Sequence, residues 1–196
     1  MMEWKSDVVP FGTTICGIDE LIDYSNAGVS HVLSILDPGH PEPAAFARFP
    51  AHAKLELQFH DIIKPRPNEL PPTRGDVDLI LAFGRDLMEE PRDVRHLLVH
   101  CHMGISRSTA SMVLLLAQAR PDLTAEAIIA EVVRIRSKAW PNLLVIRHGD
   151  ELLGRGGSLI AAAHARYRVL LAEKPELGPF FRSVGRDEEV DGPPSK

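Results

Sequence analysis

Five residues separate Cys101 from Arg107, namely His102, Met103, Gly104, Ile105 and Ser106, and Ser108 follows directly. A thiol set beside a guanidinium is in a setting that favours the thiolate, the nucleophilic form of cysteine. The planar fork of Arg107 can hold two oxygens of a tetrahedral anion. Gly104 lets the intervening backbone curl with no Cβ obstructing that anion. Together these residue types can carry out nucleophilic attack on a bound phosphoryl group.

The flanking residues must position that chemistry. Leu97-Leu98-Val99 is a short apolar run that enters at His100, and Thr109 to Leu116 is a longer apolar run that leaves. A short apolar run, a small-residue loop and a long apolar run read as strand, tight turn and buried helix. At such a junction the first helical N–H groups lack intrahelical acceptors and the macrodipole adds positive charge. The stretch His102 to Arg107 is therefore read as a phosphate cradle. Taken singly, a buried cysteine is usually an inert small hydrophobe; the spacing between strand and helix is what carries the functional reading. His100 and His102 alternate at the strand end, but no partner stands at ligand spacing, so neither a metal nor another cofactor is expected.

His-Cys, five residues and Arg-Ser resembles the motif of the protein tyrosine phosphatase superfamily, and the ending Gly-Ile-Ser-Arg-Ser is most similar to its dual-specificity branch. The resemblance implies that Cys101 attacks phosphorus to form a phosphocysteine and that Arg107 holds the equatorial oxygens. It gives Ser108 the part of easing thiolate release and His100 a supporting part in setting the thiolate. Two other functions use a similar loop: a phosphate-binding module without turnover, and a rhodanese-like sulfurtransferase, whose usual loop resembles one a residue shorter.

Breaking a phosphate ester also needs a proton donor opposite the thiolate. Asp61 follows the alternating run Ala53 to Phe59 and opens the proline-rich stretch Lys64 to Gly75, which suits neither helix nor central strand. An acid on a mobile loop can close over substrate, and in the resembled family the acid lies after a strand upstream of the cysteine. Asp76 and Asp78 compete, but they sit where a helix starts and carboxylates cap free N–H groups. Asp61 is the expected acid.

The rest of the chain reads as α/β, a central mainly parallel sheet flanked by helices. Short strands are expected at Val8–Phe11, Thr13–Cys16, Val29–Leu36 and Val94–Val99, and helices at Ile18–Tyr24, Asp78–Glu90, from the loop to Ala119, after Thr124, at Leu143–Leu153 and at Ser158–Ala172. Arg134, Arg136 and Lys138 fall where a helix C-terminus favours positive charge. Trp140-Pro141-Asn142 also resembles the dual-specificity pattern. Gly154 to Gly157 is a helix break rather than a phosphate loop, because no strand precedes it and no Lys-Ser/Thr follows.

With 196 residues, 44% hydrophobic and 25% charged, the chain can bury one good core. Residues 1–177 are expected to form a single catalytic domain and 178–196 a loose polar tail. A net charge of -5 argues against a nucleic-acid partner that depends on a broad basic surface, while a local cradle can still hold an anion, so the expected partner is a phosphorylated protein or small phosphoester. No apolar segment resembles a leader or a membrane span, and a reactive thiolate suits a reducing compartment; the reading is cytoplasmic and without a membrane partner. Cys16 reads as a core thiol, with a protective disulfide to Cys101 as the alternative.

Overall fold

The computed structural model describes residues 6–192. Four strands, β1 (Gly12–Cys16), β2 (His31–Leu36), β3 (Ala53–Gln58) and β4 (His96–His100), form one sheet in the order β1-β4-β2-β3. Every pairing is parallel, with Cys16 opposite His100 and Ser34 opposite His100 on the other side. β4 is central and buried at every position, as a parallel strand covered on both faces must be. β1 and β3 are the edge strands, and β3 carries the exposed pair Lys54 and Glu56 that an unpaired edge tolerates.

Parallel strands need crossovers, and two of these contain short 3-10 helices, Ile18–Tyr24 and Ala44–Arg48. The third contains α1 (Arg74–Glu89). α1 starts four residues before the expected boundary because Thr73 caps it: Thr73 Oγ1 accepts from the Asp76 N–H, and Asp76 accepts from Thr73 in return. The competing carboxylate Asp76 is thereby accounted for as a cap. Val8–Phe11 is bent rather than a strand, since Pro10 has no N–H to donate; Val9 and Phe11 still enter the core.

α2 (Arg107–Ala119) leaves the top of β4 and is buried along almost its whole length. α3 (Ala125–Ile135), capped by Thr124, and α4 (Leu143–Leu152), capped by Asn142, pack around it. A Cβ on Gly149 of α4 would stand 2.2 Å from Leu114 Cδ2, so a larger residue there would force the Leu114 side chain to move. After the Gly154–Gly157 break comes α5 (Ser158–Glu173), which is not the last helix.

The expected loose tail is corrected by the structure. Residues Leu177–Ser183 form α6 and Asp187–Asp191 form α7, and both return to the body. Phe181 stacks on Trp140 with ring centroids 4.0 Å apart, and Trp140 stacks on Tyr167 at 4.7 Å. Burying such rings contributes roughly 2–3 kcal/mol each, enough to hold a short segment in place. Residues 193–196 of the expected tail, and the first five residues of the N-terminal stretch read for a leader, lie outside the described residues. Among the described residues no helix is long and apolar enough to cross a membrane.

Candidate active site

The loop between β4 and α2 is shaped by where its carbonyl groups go. His102 O accepts from Ile18 N, Met103 O and Gly104 O from the Arg136 guanidinium, Ile105 O from Trp140 N, and Ser106 O from Asn142 N. Five consecutive carbonyls are thus turned outward into the surrounding fold. A peptide plane that points its C=O out points its N–H in, so the loop amides converge on the space above Cys101. Gly104 has φ +64°, and a Cβ there would stand 2.4 Å from the Cys16 carbonyl carbon. The curl therefore requires glycine, both for its left-handed backbone and for the close approach of β1.

Ser106 stands at the N-cap of α2 yet makes no capping bond. Its hydroxyl goes to Asp61 instead, which leaves the first-turn amides for an anion. Cys101 is buried, with its Sγ 3.2 Å from Ser108 Oγ. Arg107 lies beneath the loop, where one Nη donates to Asp37 Oδ1 at 2.6 Å and to Phe59 O at 2.7 Å while its buried Nε has no hydrogen-bond partner. His102 Nε2 accepts from the Asp37 N–H at 3.2 Å, which ties the loop to the end of β2. Met103, 63% exposed, forms a lip.

His100 is completely buried against Phe46, and burial pushes its pKa down to about 4. Neither ring nitrogen has a well-formed hydrogen bond, although the Cys101 backbone lies near enough to favour the proton slightly. The imidazole under the loop is therefore neutral at physiological pH. Cys16, beside His100 in the sheet, is a buried free thiol whose pKa burial and the neighbouring Glu20 push far up. Cys101 is likewise free of any disulfide.

Asp61 faces the loop from the opposite wall. Its Oδ1 accepts from Ser106 Oγ at 2.7 Å and from Asn142 Nδ2 at 2.8 Å, and its Oδ2 lies 3.1 Å from Arg186 Nη1. Burial alone would raise its pKa, but the guanidinium groups of Arg186 and Arg107, helped by those two hydrogen bonds, bring it below the ordinary carboxylate value. Some 32% of its side chain remains open. A cavity of about 410 Å³ joins Asp61 to Cys101, Ser106 and Arg107, walled on one side by Phe180, Phe181 and Val184.

Sequence reasoning named Cys101, Arg107, Ser108, His100 and Asp61, and the structure brings all five to one end of the sheet. It did not find Arg186 and Glu189, Asp37 as the partner of Arg107, or the part of Arg136 in holding the loop. Arg136 sits at the C-terminus of α3, as the dipole reading had it, but its fork is spent on Glu20 and two loop carbonyls. A signal for the C-terminal pair was present: Phe180, Phe181 and Val184 repeat at helical spacing just before Arg186 and an acidic helix start.

A parallel α/β sheet with Cys101 and Arg107 in the loop between its central strand and the following helix defines a class of fold, and solved structures share that fold. No protein-family model matches the chain, and no curated protein does. The active form of Tk-PTP is similar at a TM-score of 0.54 and 19% identity, covering 79% of this chain and 99% of that one. Human DUSP28 is similar at 0.53 and 16%, covering 73% and 94%. A human tyrosine phosphatase-like serine/threonine/tyrosine-interacting protein is similar at 0.54 and 18%, covering 76% and 95%. The chain has the fold of the cysteine-dependent tyrosine and dual-specificity phosphatases.

Proposed function

We propose that this protein is a cysteine-dependent phosphomonoesterase that works through a phosphocysteine. The observation that carries the reading is the set of outward carbonyls from His102 to Ser106, which aims the loop amides at the space above the Cys101 thiol. A phosphoryl group held there meets the amides and Arg107 on its equatorial oxygens, where charge must be stabilised in the transition state. The Cys101 thiolate attacks phosphorus as the P–O ester bond breaks, and Asp61 gives its proton to the departing oxygen. Asp61 then takes a proton from water, that water attacks phosphorus, and the P–S bond breaks to release phosphate. Ser108 donates to the departing sulfur.

Asp61 is ionised in the free protein, and substrate is what changes this. A phosphate dianion beside Arg107 adds negative charge near the carboxylate and favours its protonated form. The apolar wall of Phe180, Phe181 and Val184 supports an aryl ester, on a protein or a small molecule, as the preferred substrate. Hydrolysis of an aryl phosphate with vanadate as competitor tests this. Wild type should turn over and Cys101→Ser should lose about 10⁴-fold or more while still binding vanadate. The ion pairing of Asp61 favours one second reading, a phosphate-recognition module without turnover; an inert wild type that binds vanadate would establish it.

A further inference from the structure

Arg186 lies between α6 and α7, 4% exposed, and its guanidinium is fully committed. Nε and one Nη donate to the two oxygens of Glu189 at 2.7 and 2.8 Å, the same Nη donates to Ser106 Oγ at 2.9 Å, and the other Nη lies 3.1 Å from Asp61. Glu189 is itself held by Trp140 Nε1 at 2.7 Å and by Leu143 N at 2.9 Å. The chain of contacts runs from the aromatic stack, through Glu189 and Arg186, to the carboxylate opposite Cys101. Asp61, by contrast, stands at the start of a loop that has no regular structure before α1 apart from one bridge between Arg66 and Glu69.

We infer that Arg186 is the positioning residue for Asp61: the C-terminal segment delivers a guanidinium, locked by Glu189, that sets where the proton donor stands over the loop. This rests on the phosphatase reading. Arg186 does not serve as a second phosphate ligand, because its charge is matched on both sides by Asp61 and Glu189 and it could reach a substrate only by breaking those bonds. Its effect is on geometry first, since a loop carboxylate held in one place has already lost the freedom that would otherwise slow proton transfer. The second effect is on protonation. Asp61 faces Arg186 from the C-terminal segment, Arg107 from α2, His102 from the loop and Tyr167 from α5, with Asn142 and Ser106 as neutral donors. Arg186 is the strongest of the groups that favour the carboxylate.

The test compares an aryl phosphate with a good leaving group against one with a poor leaving group, as a function of pH. The principal variant is Arg186→Met with Glu189→Gln, which removes both charges and leaves neither one buried alone. Melting and vanadate inhibition check that the fold and the Cys101 loop survive. The expected result is a loss of up to about 100-fold on the poor leaving group and little on the good one, with no further loss when Asp61→Ala is added. The limb where activity falls with rising pH should move upward, because removing the cation raises the Asp61 carboxyl. Equal losses on both substrates, additive losses with Asp61→Ala, or an unmoved limb would overturn the proposal. Arg186→Lys, which keeps the charge and loses the fork, gives an independent check: the poor leaving group should suffer while the limb stays put, and an unchanged ratio between substrates overturns the positioning role. A wild type without turnover overturns the phosphatase reading itself, whereas an active wild type with substrate-independent losses overturns only the role of Arg186.

Discussion

The loop from His100 to Ser108 and the segment from Leu177 to Asp191 meet at one cleft, yet they are held by different forces. The loop is fastened through its backbone: its carbonyls are taken up by Ile18, Trp140, Asn142 and Arg136, and Gly104 fits against β1 with no room to spare. The C-terminal segment is fastened through side chains, by aromatic stacking on Trp140 and by charges. Those charges include Arg186 with Asp61, Lys64 with Asp187 and Arg147 with Glu188, which reach the rest of the molecule, while Arg186 with Glu189 and Arg182 with Asp191 hold the segment together internally. Backbone fastening tolerates little change in residue type at the loop itself. Side-chain fastening depends on partners far away in sequence and on solution conditions.

The largest effect should come from Gly104→Ala. The new Cβ would collide with the backbone of Cys16 and Gly17 in a left-handed conformation, so the loop must shift. Displacement of catalytic groups by about 1 Å costs roughly 100-fold or more, and aryl phosphate turnover together with vanadate inhibition should report that loss. Glu189→Ala comes next. It strips Arg186 of its bidentate partner in a buried place and frees Trp140 Nε1 and Leu143 N, so chemical denaturation should show about 3–5 kcal/mol lost. A smaller change would mean that the C-terminal segment is docked by its aromatic residues alone.

His100 gives a pH signature on the loop side. Its pKa falls from 6.5 to about 4 on folding, so the unfolded chain binds the proton more readily. The contribution is complete above pH 6.5 and is lost as pH falls toward 4. Its size is on the order of 3 kcal/mol. His100→Gln should flatten the stability profile in that window. The smallest effect is that of salt: exposed pairs such as Arg182–Asp191 contribute little and are screened. Amide exchange in α6 and α7 should therefore quicken with ionic strength while that of the loop does not.

The same contrast explains what could be read from the sequence. The loop's chemistry, its strand, its helix and the cap at Thr124 are local patterns, each settled by residues a few positions apart. Asp61 was reachable because it follows a strand. The parallel sheet followed from the alternation of apolar runs with helical stretches; Asp76 was legible as a helix-start carboxylate, but the boundary at Asp78 fell four residues late because the capping residue Thr73 lies in the proline-rich stretch. Arg186 and Glu189 were read as part of a polar tail, since nothing local says that a charged, proline-bearing stretch will bury an ion pair beneath Trp140. Arg136 was legible as a helix end and illegible as a loop support, because its partners lie more than thirty positions away. Contacts of that span are set by tertiary packing rather than by local propensity.

The central claim is a covalent phosphoryl group on Cys101. Rapid acid quenching of Asp61→Ala during turnover of an aryl phosphate with a good leaving group, followed by peptide mass spectrometry, reads it directly, because loss of the assisting carboxylate slows hydrolysis of the intermediate. The account predicts one phosphoryl group on the peptide containing Cys101, absent in Cys101→Ser. Steady turnover with no phosphoryl group on that peptide, or with one on another residue, would contradict it.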